Sequence, residues 1–123
     1  MNIKFAEDPQ HTETMTPAAA VVRRHAVDGA GNPITVRGLR AAGIAVDHHT
    51  ADDVTSGKVL DVVTEGLFGL VCDAANNAQD RLTVDATGRG SVADEGVGEL
   101  VSFEVRIPST GVDGAALVKI ISS

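Results

Sequence analysis

Aromatic side chains are nearly missing from this chain of 123 residues, which has three Phe and neither Trp nor Tyr. Without indole or phenol rings there is little to stack on a base, a sugar or a flat cofactor. The core must therefore be built from Val, Leu, Ile and Ala. Cysteine is also scarce: the one thiol, Cys72, excludes a disulfide framework within the chain, which fits a reducing compartment. It sits in the apolar run "GLFGLVC", where a buried, inert thiol is expected. No apolar run approaches the roughly 18–20 residues that a membrane span needs. The stretch "MNIKFAEDPQHTE" lacks the basic and apolar regions of a signal peptide, so the chain is expected to be soluble and made in the cytoplasm. Positive charge is short as well: Lys and Arg total 10 against 17 Asp and Glu, a formal net charge of -7. Nucleic acid and anionic membranes would be repelled, and neither is an expected partner.

The length suits one domain with one modest core. Up to Pro33 the chain carries Pro9, Pro17 and Pro33, a density that forbids a long helix. Residues 1–33 therefore read as an extended N-terminal arm with one short apolar element, Ala18 to Val22, and a turn at "DGAGNP". Residues 34–123 read as a β-barrel-like domain. Their short β-rich runs are Ile34 to Leu39, Gly43 to Val46, Lys58 to Thr64, Leu67 to Cys72, Arg81 to Ala86, Leu100 to Arg106 and Ala116 to Ser122. In "LVSFEVR", Val101, Phe103 and Val105 alternate with polar residues, the period-two pattern of a half-buried strand. Helix is the weaker reading of "TSGKVLDVVTEGLFGL", because its glycines and β-branched residues oppose it. The expected class is all-β, a small barrel or sandwich-like domain with the extended arm. A loose echo supports closure by two hairpin-like units: "GIAV", a polar linker, Gly57 and "KVLDVV" resemble "SFEV", a polar linker, Gly114 and "AALVKII".

Chemistry, if present, would centre on His48, His49, Asp52 and Asp53, on the polar connection after Val46. Adjacent histidines on extended backbone point to opposite sides, so a shared metal is disfavoured and a solvated loop is the expectation. His11 and His25 could converge on them from the arm, although nothing in the spacing requires it. The serines at 56, 91, 102, 109, 122 and 123 lie in no G-x-S-x-G elbow. Acidic pairs such as Glu7 with Asp8, or Asp94 with Glu95, are expected to be solvated surface. "ATGRGSVADEGVGEL" fails both glycine fingerprints for phosphate, and its "DATGRG" reads as a tight turn between strands. Arg23 and Arg24, with Arg37 and Arg40, are the local basic cluster. No catalytic, cofactor-binding or metal-ligating residue is assigned, and no cofactor is expected.

The last two thirds of the chain, "GIAVDHHTADDVTSGKVLDVVTEGLFGLV", "NNAQDRLTVDATGRGSVADEGVGELVSFEV" and "GALVKIIS", resemble the capsid decoration, or cement, proteins of tailed bacteriophages. The matching stretches are Gly43 to Val46, Gly57 to Val63, Gly66 to Val71, Asp80 to Gly90 and Gly114 to Ile121. The sequence departs from the pattern at Gln79, where a glycine is usual, and at "LVSFEV". The resemblance implies a non-enzymatic β domain, a homo-oligomer, with a trimer preferred to a dimer. It would bind the major capsid protein on the capsid exterior and staple neighbouring capsomers, with the arm adding a strand to a neighbouring subunit. The alternatives are another phage assembly component, a tail or fibre subunit, and a small metal-binding module or enzyme using His48, His49, Asp52 and Asp53.

Overall fold

The computed structural model describes residues 7–121. Residues 1–6 of the expected arm, and Ser122 and Ser123, lie outside the described residues. The elements in chain order are β1 Asp8–Met15, β2 Ala26–Val27, β3 Gly43–Ala45, α1 Ala51–Ser56, β4 Leu60–Val71, β5 Arg81–Val84, β6 Gly90–Val92, a 3-10 turn Glu95–Val97, β7 Phe103–Ile107 and β8 Ala115–Ile120. The fold is all-β, as the sequence pattern indicates.

One antiparallel sheet runs in the order β2-β3-β4-β8-β7-β5-β6 and curls until its ends meet. Cys72, just past β4, bridges Gly90 of β6, and the Ala26 N–H of β2 donates to Gly88 O in the β5–β6 turn at 2.7 Å. These contacts nearly close a barrel. Inside lie Phe103, Leu70, Leu82, Val84, Val105 and Val118, each fully buried. A smaller cluster of Val21, Val27, Ala45, Leu60 and Val62 packs beside them.

β4 corrects the sequence reading, since the two runs expected at 58–64 and 67–72 are one strand of 12 residues. Gly66, which reads as punctuation, has φ +99° yet stays paired within the strand, next to the register shifts of the β1–β4 pairing, instead of making a turn. One edge of β4 serves two partners, β3 at Val62 and Val63 and β8 from Leu67 to Val71, while β1 runs along the opposite edge from Leu60 to Leu67. The echo noted in the sequence corresponds to the antiparallel pairs β3–β4 and β7–β8. Their second strands pair with each other at the centre of the sheet.

Ile34 to Leu39 is not a strand. Ile34 plugs the core at 3% exposure, and Gly38, at φ +87°, turns the chain so that its N–H donates to Val84 O at 3.0 Å. In the 1–33 segment, β1 is a strand whose residues are almost all exposed, and it adds to its own chain's β4. Val21, Ala26 and Val27 are core residues. The barrel wall therefore reaches back before Pro33, and the boundary drawn there does not separate arm from core.

Candidate interaction surface

The histidine-rich connection is a capped helical turn. Thr50 N-caps α1: its hydroxyl accepts from the Asp53 N–H at 3.2 Å, and the Asp53 carboxylate accepts from the Thr50 N–H at 3.0 Å. Those bonds, the Thr50 backbone N–H foremost, outweigh desolvation and hold the Asp53 carboxyl below its ordinary range. Gly57, at φ +74°, closes the helix. Thr50-x-x-Asp53 followed by Gly57 is a start-and-stop signal readable in the sequence, and it makes a helical turn where a solvated loop is expected. Asp52 lies in the first turn beside Asp53.

The two histidines do point apart. His49 is 2% exposed, bridges Val21 through its backbone, and has no hydrogen-bond partner at Nε2. His48 is exposed, and its Nδ1 accepts from the Arg23 N–H at 3.2 Å. Among the described residues, no three His, Cys, Asp or Glu side chains form a metal-ligating group. His11 lies on β1 beside Glu13 at 3.3 Å, away from this region. His25, however, lines one cavity together with His48, Arg23 and Arg24.

The remaining candidates are structural. Cys72 is buried, and desolvation pushes its pKa up to about 11, so the thiolate is rare at neutral pH. Ser91, Ser102 and Ser109 are buried: Ser91 is hydrogen-bonded to Arg37, Ser102 to the Ala41 N–H, and Ser109 to the Asn76 side chain and to Gly111 O; Ser56 ends α1. The "DATGRG" stretch is the β5–β6 hairpin turn.

The basic cluster is divided. Arg24 binds Glu7, whereas Arg37 binds Glu99 at 2.6 Å, Ser91 Oγ at 2.6 Å and Val92 O at 3.1 Å. This Arg37 bond, followed by the Asp94 N–H, holds the Glu99 carboxyl below its ordinary range. It also ties the 36–40 turn to the 92–100 loop, and the Leu100 N–H adds a bond to Gly38 O at 2.9 Å. On these two clamped loops Val36, Leu39, Val92, Val97 and Leu100 are exposed by 55%, 49%, 50%, 72% and 45%. Apolar side chains held out on a braced pair of loops make this the candidate interaction surface. No local pattern in the sequence announces it, because Arg37 and Glu99 are 62 positions apart.

No protein-family model matches the chain, and no curated protein matches it in sequence. Among solved structures it is similar to the N base of the head fiber gp8.5 of bacteriophage phi29, with TM-score 0.66, 12% identity, and coverage of 91% of this chain and 93% of that chain. The two chains share a fold. At that identity the likeness is one of backbone architecture.

Proposed function

We propose that the chain is a non-enzymatic structural component of a phage virion. It binds the exterior of the assembled capsid through the major capsid protein and stabilises contacts between capsomers. The observation that supports this most is the architecture it has in common, over nine tenths of both chains, with the base of a phage head fiber. The face offered to the shell is the clamped pair of loops bearing Leu39, Val97 and Leu100. The net charge of -7 disfavours two such faces meeting each other and favours a shell site with an apolar centre and a basic rim. Homo-oligomerisation, with a trimer preferred, belongs to the same reading, and β1 extends the surface available for it.

A second reading, a fibre subunit seated on the head, is favoured by the same structural likeness. Mixing the purified protein with filled shells, emptied shells and isolated tails tests both. Co-sedimentation with shells, lost in Leu39→Ser/Val97→Ser, is the expected result. Binding to tails only, or binding indifferent to the double substitution, would overturn the docking face. Deleting residues 1–15 is expected to leave the barrel folded and to weaken shell binding; undiminished binding would remove β1 from the contact.

A further inference from the structure

The cavity behind the Val22–His25 turn, about 410 Å³, is lined by Val22, Arg23, Arg24, His25, His48, Val71 and Asp113. In a chain with excess acid it gathers two arginines and two histidines. The turn is firmly built. The His25 N–H donates to Val22 O at 3.2 Å, the Arg24 N–H to Ala45 O at 2.9 Å, and the Val71 N–H to Arg24 O at 2.9 Å. Together these hold Arg24 at φ +59°, a conformation that non-glycine residues rarely adopt.

Both imidazoles are oriented by the Arg23 backbone. His25 Nδ1 lies 3.0 Å from Arg23 O and must carry a hydrogen to bond it, while His48 Nδ1 accepts the Arg23 N–H. A neutral His48 therefore carries its proton on Nε2 as a donor. The Arg23 guanidinium has no carboxylate partner among the described residues, and the Asp113 carboxylate is engaged by Arg89 at 3.1 Å.

The same wall already binds one carboxylate. Glu7 takes both terminal nitrogens of Arg24, at 2.5 and 3.2 Å, and the Gly69 N–H at 2.7 Å, with the guanidinium 4.7 Å from the centroid of the Phe68 ring.

We infer that Arg23, His25 and His48 form a second carboxylate-binding site beside the one that Glu7 fills, taking a carboxylate on a slender apolar stem, such as a glutamate side chain of a partner protein. Arg23 supplies the charge and His48 Nε2–H a directed donor. Val22 and Val71 wall the stem, which a compact, fully hydrated inorganic anion does not use. This inference stands independently of the capsid reading.

The test is a titration of the full chain with N-acetylglutamate α-amide, and separately with inorganic phosphate, at constant ionic strength. It is followed by the side-chain imidazole resonances of the four histidines. Saturating shifts at His25 and His48 but not at His11 are expected, with the carboxylate binding more tightly than phosphate. Arg23→Ala should weaken binding about tenfold, Arg23→Lys less, and Arg40→Ala, which removes an equal charge elsewhere, not at all. Unsaturable shifts, equal loss in the Arg23→Ala and Arg40→Ala proteins, or tighter binding of phosphate would each overturn the assignment.

Discussion

Asp85 shows how one side chain can hold a hairpin. Its carboxylate accepts from the Thr87 N–H and hydroxyl at 2.9 and 2.8 Å and from the Arg89 N–H and Nε at 2.9 and 3.0 Å. Burial acts to raise its pKa, but these donors, Thr87's foremost, outweigh it and hold the carboxyl below its ordinary value. A depressed carboxylate contributes stability that is present above its unfolded pKa, about 3.9, and is lost as pH falls through the folded value. Asp85→Asn is therefore expected to cost about 1–2 kcal/mol near neutrality and progressively less below about pH 4. Urea melts followed by circular dichroism across that range would measure it, and a cost independent of pH would refute the account. The two histidines should also separate. His49→Ala opens a buried site and should cost about 2 kcal/mol, whereas the exposed His48→Ala should stay within about 0.5 kcal/mol. Thermal melts of both variants decide, and equal losses would count against the burial argument.

At the scale of elements, β1 and β4 depend on each other unequally. β4 is central to the barrel, while β1 contributes backbone pairing along one edge and buries almost no side chain. Gly66 is the point of contact: a Cβ there would sit 2.3 Å from Asp8 O and 2.7 Å from Gln10 N, on backbone already at positive φ. Gly66→Ala is therefore expected to release β1 and spare the barrel. Amide hydrogen exchange should show protection lost across 8–15 and retained in β7 and β8; global loss would mean that β1 is integral to the fold. Gly43→Ala is the contrasting case. Its Cβ would meet Val63 O at 2.3 Å and Val62 Cγ1 at 2.7 Å inside the β3–β4 pair, so that variant should lose the whole barrel.

For the whole molecule, assembly is the first quantity to measure. Light scattering coupled to size exclusion should use refractive-index detection, because a chain without Trp or Tyr absorbs too weakly for the usual monitor. A discrete trimer is the outcome that the proposed structural role calls for. A monomer at every concentration would confine the proposal to a protein that docks singly. If copies associate, the neutral-pH charge of -7 predicts association that strengthens with added salt, as repulsion between copies is screened.

Local chemistry determined a good deal of this protein from sequence alone. Period-two alternation marks β7, turn residues mark the β5–β6 hairpin, and scarce aromatics dictate an aliphatic core, because each signal lies within a few neighbouring residues. The opposite orientations of His48 and His49 follow from extended backbone in the same way. Only the tertiary structure decided what depends on distant partners. Whether Gly66 ends a strand or continues one depends on β1 and β8, which pair on either side of β4 there. Whether Ile34 to Leu39 extends or turns depends on Val84 and Glu99. Whether residues 18–33 are arm or wall depends on the barrel that buries Val21 and Val27. The carboxylate cradle and the clamped apolar loops join residues far apart in the chain, as Glu7 to Gly69 and Arg37 to Glu99 do. Closing such long loops has an entropic cost that only the assembled sheet offsets, so no local pattern could have announced either surface.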